Sequence, residues 1–515
     1  MSQRGAASPG SGAHTGVVVG VDCGLTVTKA VVYDRAGTWL GTACAPSGQH
    51  SPRPRWVERD MDELWRTASG VVRDAIADAD VPASAVRAVA TTAHGDGLYL
   101  VDADGKAVRP GILSLDTRAA DIVEQWRTDG TADRALLVTG QQPFPASPAA
   151  LLAWLARHEP RTLARARWAM SSKDWVKFKL TGEPTTDLTE ASESFTSHLT
   201  QRYADEALVV YGLEPYARLR PPVLPSCEIA GKVTGEAAEV TGLPPGTPVV
   251  AGLHDVDACA IGGGSVRPGD LAVIAGTYSI NEVISDAPVT DPRWCTRNFV
   301  SYGYWQHMAL SPASATNLEW FVRQLCPDEV ARADRAGESP FAFVEDAVRG
   351  VTGDPHDVLF LPFLYGSPQP RDSGAALIGL RGWHDRRHAL RAVLDGIVFN
   401  HRTHVDALRE RFTIRRARLT GGGARNPYWS QLFADVLALP VDAVEVPEAG
   451  TLGAAVCAMI GAGWYPSVTE AVDNLAIPTH GYQPDPTRGR RLDTAYERYR
   501  WAAGTLANLP EPLSD

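Results

Sequence analysis

Two carboxylates, Asp255 and Asp257, sit in the stretch VAGLHDVDACAIGGG at 250–264, where an apolar run ends in Gly252 and small residues follow. A second apolar run, LAVIA at 271–275, comes next. A buried strand that delivers an acid into a glycine-lined gap suits proton abstraction. The same Asp255 could cap a helix begun at 256–260, a common task for aspartate. Taken alone, the stretch favours the cap. AHGDG at 93–97 ends a short strand at 88–92 and puts His94, Gly95 and Asp96 on a glycine-rich loop. Polar groups in that position line ligand clefts in α/β proteins, and they also satisfy loop backbone. In LSLDTRA at 113–119, Asp116 and Arg118 are close enough in sequence for an ion pair or for joint contacts to hydroxyl groups.

Three glycine-bearing turns have the chemistry to hold an anion. GVVVGVD at 16–22 and KAVVYD at 29–34 read as the arms of a hairpin, with CGLTVT at 23–28 in the turn. Backbone N–H groups and hydroxyls at such a turn can meet a phosphate. The pattern returns as LAVIA, GTYS and INEVI at 271–284. The two hairpins lie roughly 250 residues apart, the scale of one domain. That duplication predicts two similar domains facing each other across a cleft. GGGARNP at 421–427 follows a strand at 418–420, and its triple glycine permits close backbone approach by a flat or anionic ligand. Asn426 suits a helix N-cap and Pro427 the first turn.

The elements that must carry these groups alternate between strand and helix. Asp60 and Glu63 fit a capping box ahead of an amphipathic helix with Leu64, Ala68, Val71, Val72 and Ala75 inward. A long amphipathic helix is predicted over 388–411, with Leu390, Val393, Leu394, Ile397 and Val398 on its inner face. GLPPGTP at 242–248 marks a boundary. EAGTLGAA at 448–455 opens a helix of small residues, which allows tight packing near a hinge. Closure is expected to hinge near 248–252 and 448–451.

A chain of 515 residues exceeds what one hydrophobic core supports, so two domains are expected. The net charge of -11 argues against nucleic acid or an anionic membrane as partner, since both select basic surfaces. Seven cysteines without a CxxC pair point to a reduced, cytoplasmic protein without structural zinc. No run reaches the length of a membrane span, and residues 1–14 lack the apolar core of a signal peptide.

In this order the residues resemble the FGGY carbohydrate kinases of the actin-like ATPase superfamily. The resemblance covers residues 16 to about 507 and rests on GVDCGLTVTKAVVYD, WVERDMDELW, AHGDGLYLVD, GILSLDTRA, DLTEAS, AGLHDVDA, AVIAGTYS, LPFLYGS, LTGGGARNPYWSQLFADVLALPV and EAGTLGAA. The L-xylulose kinase and erythritol kinase branch is the most similar, because HGDGL replaces the QMHG usual in D-xylulose kinases and LHDVDA replaces GGDNAA. The resemblance implies an α/β fold of two actin-like (ribonuclease H-like) domains facing each other across a nucleotide- and sugar-binding cleft. A sugar-binding N-terminal domain is expected at 15–251 and a nucleotide-binding C-terminal domain at 252–507, with disordered tails at 1–14 and 508–515.

The implied reaction transfers the γ-phosphate of ATP to a hydroxyl of a ketopentose, L-xylulose or a related pentulose. Erythritol, other polyols and D-xylulose are alternative acceptors. An actin-like conformational ATPase is the alternative of another class. Carried over by position, Asp255 matches the base that takes the hydroxyl proton. His94, Gly95 and Asp96 match the sugar loop, with Asp116 and Arg118 nearby. Asp22, Gly24, Thr26 and Lys29 match the first phosphate motif, and Gly276 and Thr277 the second. Gly421, Gly422, Gly423, Ala424 and Asn426 match the adenosine motif, and Asp22 and Asp255 would order Mg²⁺. Leu25 stands where the family's first hairpin usually has Thr. Val256 stands where many members have Asn or Gln, so Asp257 either supplies a substitute contact or caps a helix. The expected partner is a small-molecule sugar or polyol, and a homodimer is the default assembly.

Overall fold

A computed structural model describes residues 16–351, 357–367 and 373–508. The expected tail at 1–14 lies outside them, as do residues 509–515 of the other tail; Asn508 caps the last helix.

Two seven-stranded sheets organise the chain. The first contains β1 (Val17–Cys23), β2 (Val27–Tyr33), β3 (Trp39–Pro46), β4 (Val86–Ala93), β5 (Ile229–Lys232), β6 (Pro248–Val250) and β7 (Leu253–His254). Its order is β5–β6–β4–β1–β2–β3, with β7 also paired to β4. The valines of β1 are buried on both faces, which is why the strand reads as one apolar run. Between β3 and β4 runs α1 (Met61–Asp78), whose N-cap Asp60 accepts a hydrogen bond from the Glu63 amide at 2.8 Å. The Glu63 carboxylate lies against Gly48 and does not return to the cap, so half of the predicted capping box forms.

Helix α2 (Asp255–Gly262) leads into the second sheet, built from β8 (Leu271–Ala275), β9 (Ser279–Ser285), β10 (Cys295–Asn298), β11 (Trp305–Ser311), β12 (Ala417–Thr420), β13 (Val441–Val444) and β14 (Thr479–Tyr482). The order here is β10–β11–β9–β8–β12–β13–β14. Set side by side, β3–β2–β1–β4–β6–β5 and β11–β9–β8–β12–β13–β14 follow one plan. Each has an antiparallel trio, two parallel neighbours and an antiparallel strand at the end. The repeated hairpins belong to a repeated topology.

Helix α3 (Arg386–Arg409) starts two residues before its expected position, behind a capping box of Asp385 and His388, and buries the five predicted apolar residues. Helix α4 (Pro427–Leu437) begins as predicted: the Asn426 side chain accepts from the Trp429 amide at 3.0 Å, and Pro427 opens the first turn.

The chain leaves the first sheet later than residue 251. Leu253 and His254 of β7 pair with Thr92 and Ala93 of β4. Helix α5 (Ala449–Gly461), from the far end of the chain, also belongs to the first sheet, where its Leu452, Ala455 and Val456 share a core with Val18, Ala88 and Ala90. Small residues make that docking possible. A Cβ on Gly453 would lie 1.9 Å from the Ala258 carbonyl oxygen of α2, and one on Gly262 would lie 2.0 Å from that of Ala449. A mainly helical region between β4 and β5 has its own core around Trp126, Leu151 and Leu155. No helix among the described residues is long and apolar enough to cross a membrane, and all seven cysteines are free thiols.

Candidate active site

Strand register puts the acid beside the loop it was expected to serve. His254 of β7 lies opposite Ala93 of β4, so Asp255 and His94 leave the sheet together at its carboxyl edge, where α/β proteins bind ligands. The N-cap of α2 is His254, and Asp255 is the first helical residue. The capping role is therefore not the one Asp255 fills. Its side chain is 35% exposed and faces a cavity of about 850 Å³, which His94, Asp96, Asp116, Thr277 and Tyr278 also line. Burial pushes its carboxyl up to about 8, and the nearby Asp22 carboxylate pushes the same way.

His254 stands between two acids, with Nε2 3.4 Å from Asp255 Oδ1 and Nδ1 3.6 Å from Asp257 Oδ2. Burial holds its ring well below the usual imidazole range, and Arg297 adds to that effect, so the ring is neutral. Gly95 makes room for it: a Cβ there would lie 2.0 Å from His254 Nε2. Asp257 is 1% exposed, and the helix N-cap is His254.

Asp96 has φ 55°, in the left-handed region, and its amide donates to Glu193 Oε1 at 2.5 Å. Its carboxylate accepts from Arg297. Asp116 and Arg118 form an ion pair. The Arg118 guanidinium donates to both Asp116 oxygens at 2.9 and 2.7 Å and to Glu58 at 2.7 Å, and stacks on Trp56 at 4.0 Å. Asp116 also accepts from the Val57 amide, and both side chains are 0% exposed. Asp116 reaches the cavity wall from behind, and Arg118 does not reach it. The bonds through Arg118 Nε and Nη2 hold the loop, while Arg118 Nη1 has no hydrogen-bond partner among the described residues.

On the phosphate side, Asp22 is the penultimate residue of β1 and Gly24 opens the turn. The carbonyls of Gly24 and Leu25 accept from Arg59 at 3.2 and 2.6 Å, which ties that side of the turn to the protein. Thr26 is exposed at the tip. Lys29 is paired with Glu448, just before α5, at 2.7 Å. Burial raises Asp22 to about 6 against the opposing pull of Lys29, and its Oδ1 has no hydrogen-bond partner.

In the second hairpin Thr277 lines the cavity, while a Cβ on Gly276 would meet nothing within 4 Å. Gly421, at φ 87°, lies so close to Ala275 that a Cβ would sit 2.8 Å from its carbonyl oxygen. The triple-glycine loop thus abuts the second hairpin. Gly422 is exposed, Ala424 half-buried and Gly423 buried.

Among the described residues no three acidic, histidine or cysteine side chains gather into a metal cage. The orphaned Asp22 oxygen and the cavity-facing Asp255 carboxyl fit Mg²⁺, which typically takes one or two carboxylates and fills its other positions with phosphate oxygens and water. The sequence did not point to Arg59, Gln141, Glu193 or Arg297. Arg59 alone left a trace, inside WVERDMDELW, but nothing local marks it as a partner of the turn at Gly24.

Residues 17–262 match the N-terminal domain of the FGGY family of carbohydrate kinases, and residues 271–462 match its C-terminal domain. The chain is 34% identical over 493 residues to the L-xylulose/3-keto-L-gulonate kinase of Escherichia coli (strain K12), covering 95% of this chain and 97% of that protein. It is 33% identical over 490 residues to a probable L-xylulose kinase of Pasteurella multocida (strain Pm70), covering 94% and 97%. Its fold superposes on the crystal structure of xylulose kinase from Rhodospirillum rubrum with a TM-score of 0.84 at 28% identity, covering 95% of this chain and 99% of that one.

Proposed function

The chain belongs to the FGGY family of carbohydrate kinases and is a sugar kinase, and from that premise we propose that it phosphorylates L-xylulose or a closely related pentulose with MgATP, using Asp255 as the base. One observation carries the reading. Asp255 shares a cavity with His94 and Asp96 on one side and with Thr277 of the second phosphate hairpin on the other. A hydroxyl on the first side and a phosphoryl group on the second would meet at that carboxyl.

Phosphoryl transfer asks for positioning and charge neutralisation more than for covalent chemistry. The turns at Gly24 and Gly276 would receive the phosphates, and the loop at Gly421, Gly422, Gly423, Ala424 and Asn426 the adenosine. Asp22 and Asp255 would hold Mg²⁺, which when bound neutralises phosphate charge. Asp255 would accept the hydroxyl proton as the phosphoryl group moves, and the enclosing walls would keep water from competing for it. His254, neutral and wedged against Gly95, would keep the Asp255 carboxyl in place. A cytoplasmic site of action suits seven free thiols.

A second acceptor class has one observation in its favour. Arg127, 3.5 Å from Glu124, and Arg293, held by Asp291 and Glu410, stand in the cavity wall, where the carboxylate of a keto-sugar acid would meet guanidinium groups. The Escherichia coli relative carries 3-keto-L-gulonate in its name. The test is ADP release with MgATP and L-xylulose, D-xylulose, L- and D-ribulose, 3-keto-L-gulonate, erythritol, xylitol, glycerol or buffer alone. Strong stimulation by a pentulose supports the proposal. Stimulation only by 3-keto-L-gulonate or only by a polyol replaces the acceptor, and release that ignores the panel leaves a conformational ATPase.

A further inference from the structure

The acceptor side of the cavity takes a buried cation from the opposite half of the molecule. Arg297 lies on β10, in the second sheet, yet its Nη2 donates to both carboxylate oxygens of Asp96, at 3.1 and 3.5 Å. Its Nε donates to Gln141 Oε1 at 3.0 Å, and Gln141 donates to the Ser192 carbonyl at 2.5 Å. The backbone of β10 is fastened to the same region. Thr296 N–H donates to the Gly140 carbonyl at 2.8 Å, and the Asn298 side chain donates to the Leu188 carbonyl at 3.2 Å. Arg297 is 3% exposed and lines the cavity beside Asp96.

Asp96 needs such a hold. A non-glycine residue at φ 55° occupies a sparsely populated region, kept only where its surroundings over-determine it. Its amide is tied to Glu193, and Glu193 Oε1 is 3.7 Å from Arg297 Nη1. Two carboxyl groups therefore share one guanidinium in a buried site, and without it they would repel each other. The guanidinium reaches Asp96 through Nη2 and Gln141 through Nε while Nη1 faces Glu193, three directions that the single ammonium of a lysine spans less well.

We propose that Arg297 is a positioning residue for the acceptor. By clamping Asp96 from the second domain, it gives the acceptor-binding carboxylate its working orientation only when the two domains are docked. Sugar affinity is thereby tied to closure of the cleft. The inference rests on the kinase reading above, in which Asp96 contacts the sugar.

The experiment measures steady-state kinetics of the full-length protein as wild type, R297K, R297Q, D96N and the double variant D96N/R297Q, with the acceptor that most stimulates ADP release. R297Q is expected to raise the acceptor KM by about 30-fold or more, with the KM for ATP changed by no more than about twofold. R297K raises it less. In the D96N background R297Q adds no more than about a further twofold, because the clamp has nothing left to hold. Arginine variants with the wild-type acceptor KM, or single effects that multiply in the double variant, overturn the inference. If R297Q does not fold, R297K decides alone: a raised acceptor KM supports the clamp and a wild-type value overturns it. A wild type that ignores every acceptor overturns the kinase reading, and the role of Arg297 falls with it. A responsive wild type with indifferent variants fails the clamp alone.

Discussion

The β1–β2 and β8–β9 hairpins occupy equivalent places in two sheets of one topology, yet their surroundings are built to different ends. The first is tight and charged. A Cβ on Gly24 would lie 2.8 Å from the Val27 carbonyl oxygen, Arg59 grips the turn from behind, and Asp22 and Lys29 sit at its base. The second is open and uncharged, with free space beside Gly276, a hydroxyl at Thr277 and the triple-glycine loop at its flank. A repeated scaffold thus supplies two glycine-bearing turns, while the acids proposed to handle protons and cations, Asp22 and Asp255, stay with the first sheet. Asp255 follows the same division, since β7 sets it at the edge of that sheet.

The sharpest way to break this division is to neutralise its acid. Asp255→Asn is expected to lower kcat by roughly 10²–10⁴-fold, the usual worth of a general base, while ATP binding measured by calorimetry stays near normal. Near-normal turnover would remove Asp255 from the role. The two glycines test the difference in tightness more gently. Gly24→Ala should cost roughly 1–3 kcal/mol in stability, the usual range for overpacking against fixed backbone, and Gly276→Ala close to nothing. Equal thermal shifts in the two variants would mean that the hairpins are not differently packed.

A further expected effect is one of pH. The Asp255 carboxyl is raised in the fold from 3.8 to about 8, so folding takes up a proton between those values. The stability this group contributes is present below about pH 4 and lost as the pH rises towards 8. Asparagine cannot ionise, so between pH 5 and pH 8 the Tm of Asp255→Asn should fall less than that of the wild type, in the absence of nucleotide. Parallel curves would show that the carboxyl is not strained in the empty cleft.

Much of this division was legible in the sequence, because turns and periodicity are local signals. Gly24 and Thr26, Gly276 and Thr277, the cap at Asn426 and the buried face of α3 all announce themselves within a dozen residues. The acid at 255 was visible as an acid, but whether it capped a helix or faced a cavity depended on the pairing of β7 with β4, which joins residues far apart in the chain. Arg297 is harder still, since its partner Asp96 lies 201 residues away and nothing in CTRN marks the arginine as more than a strand residue. Asp116 and Arg118 went the other way. Their spacing suggested hydroxyl contacts or an ion pair; the pair forms, buried against Glu58 and Trp56 from another segment, and Asp116 also lines the cavity. The allegiance of α5 was hidden for the same reason: its small residues advertised close packing, but not against which sheet.

That close packing has a consequence for how the protein is made. The helix that carries Asp255 rests its backbone on α5, so nearly 200 residues must be synthesised between the acid and its support. At roughly 5–20 residues per second a ribosome takes some tens of seconds to bridge that gap. Throughout that interval the face of the first sheet that α5 will cover lacks Leu452, Ala455 and Val456 of its core. Completion of the catalytic half is therefore among the last events of biogenesis, although its first strand is among the first to emerge.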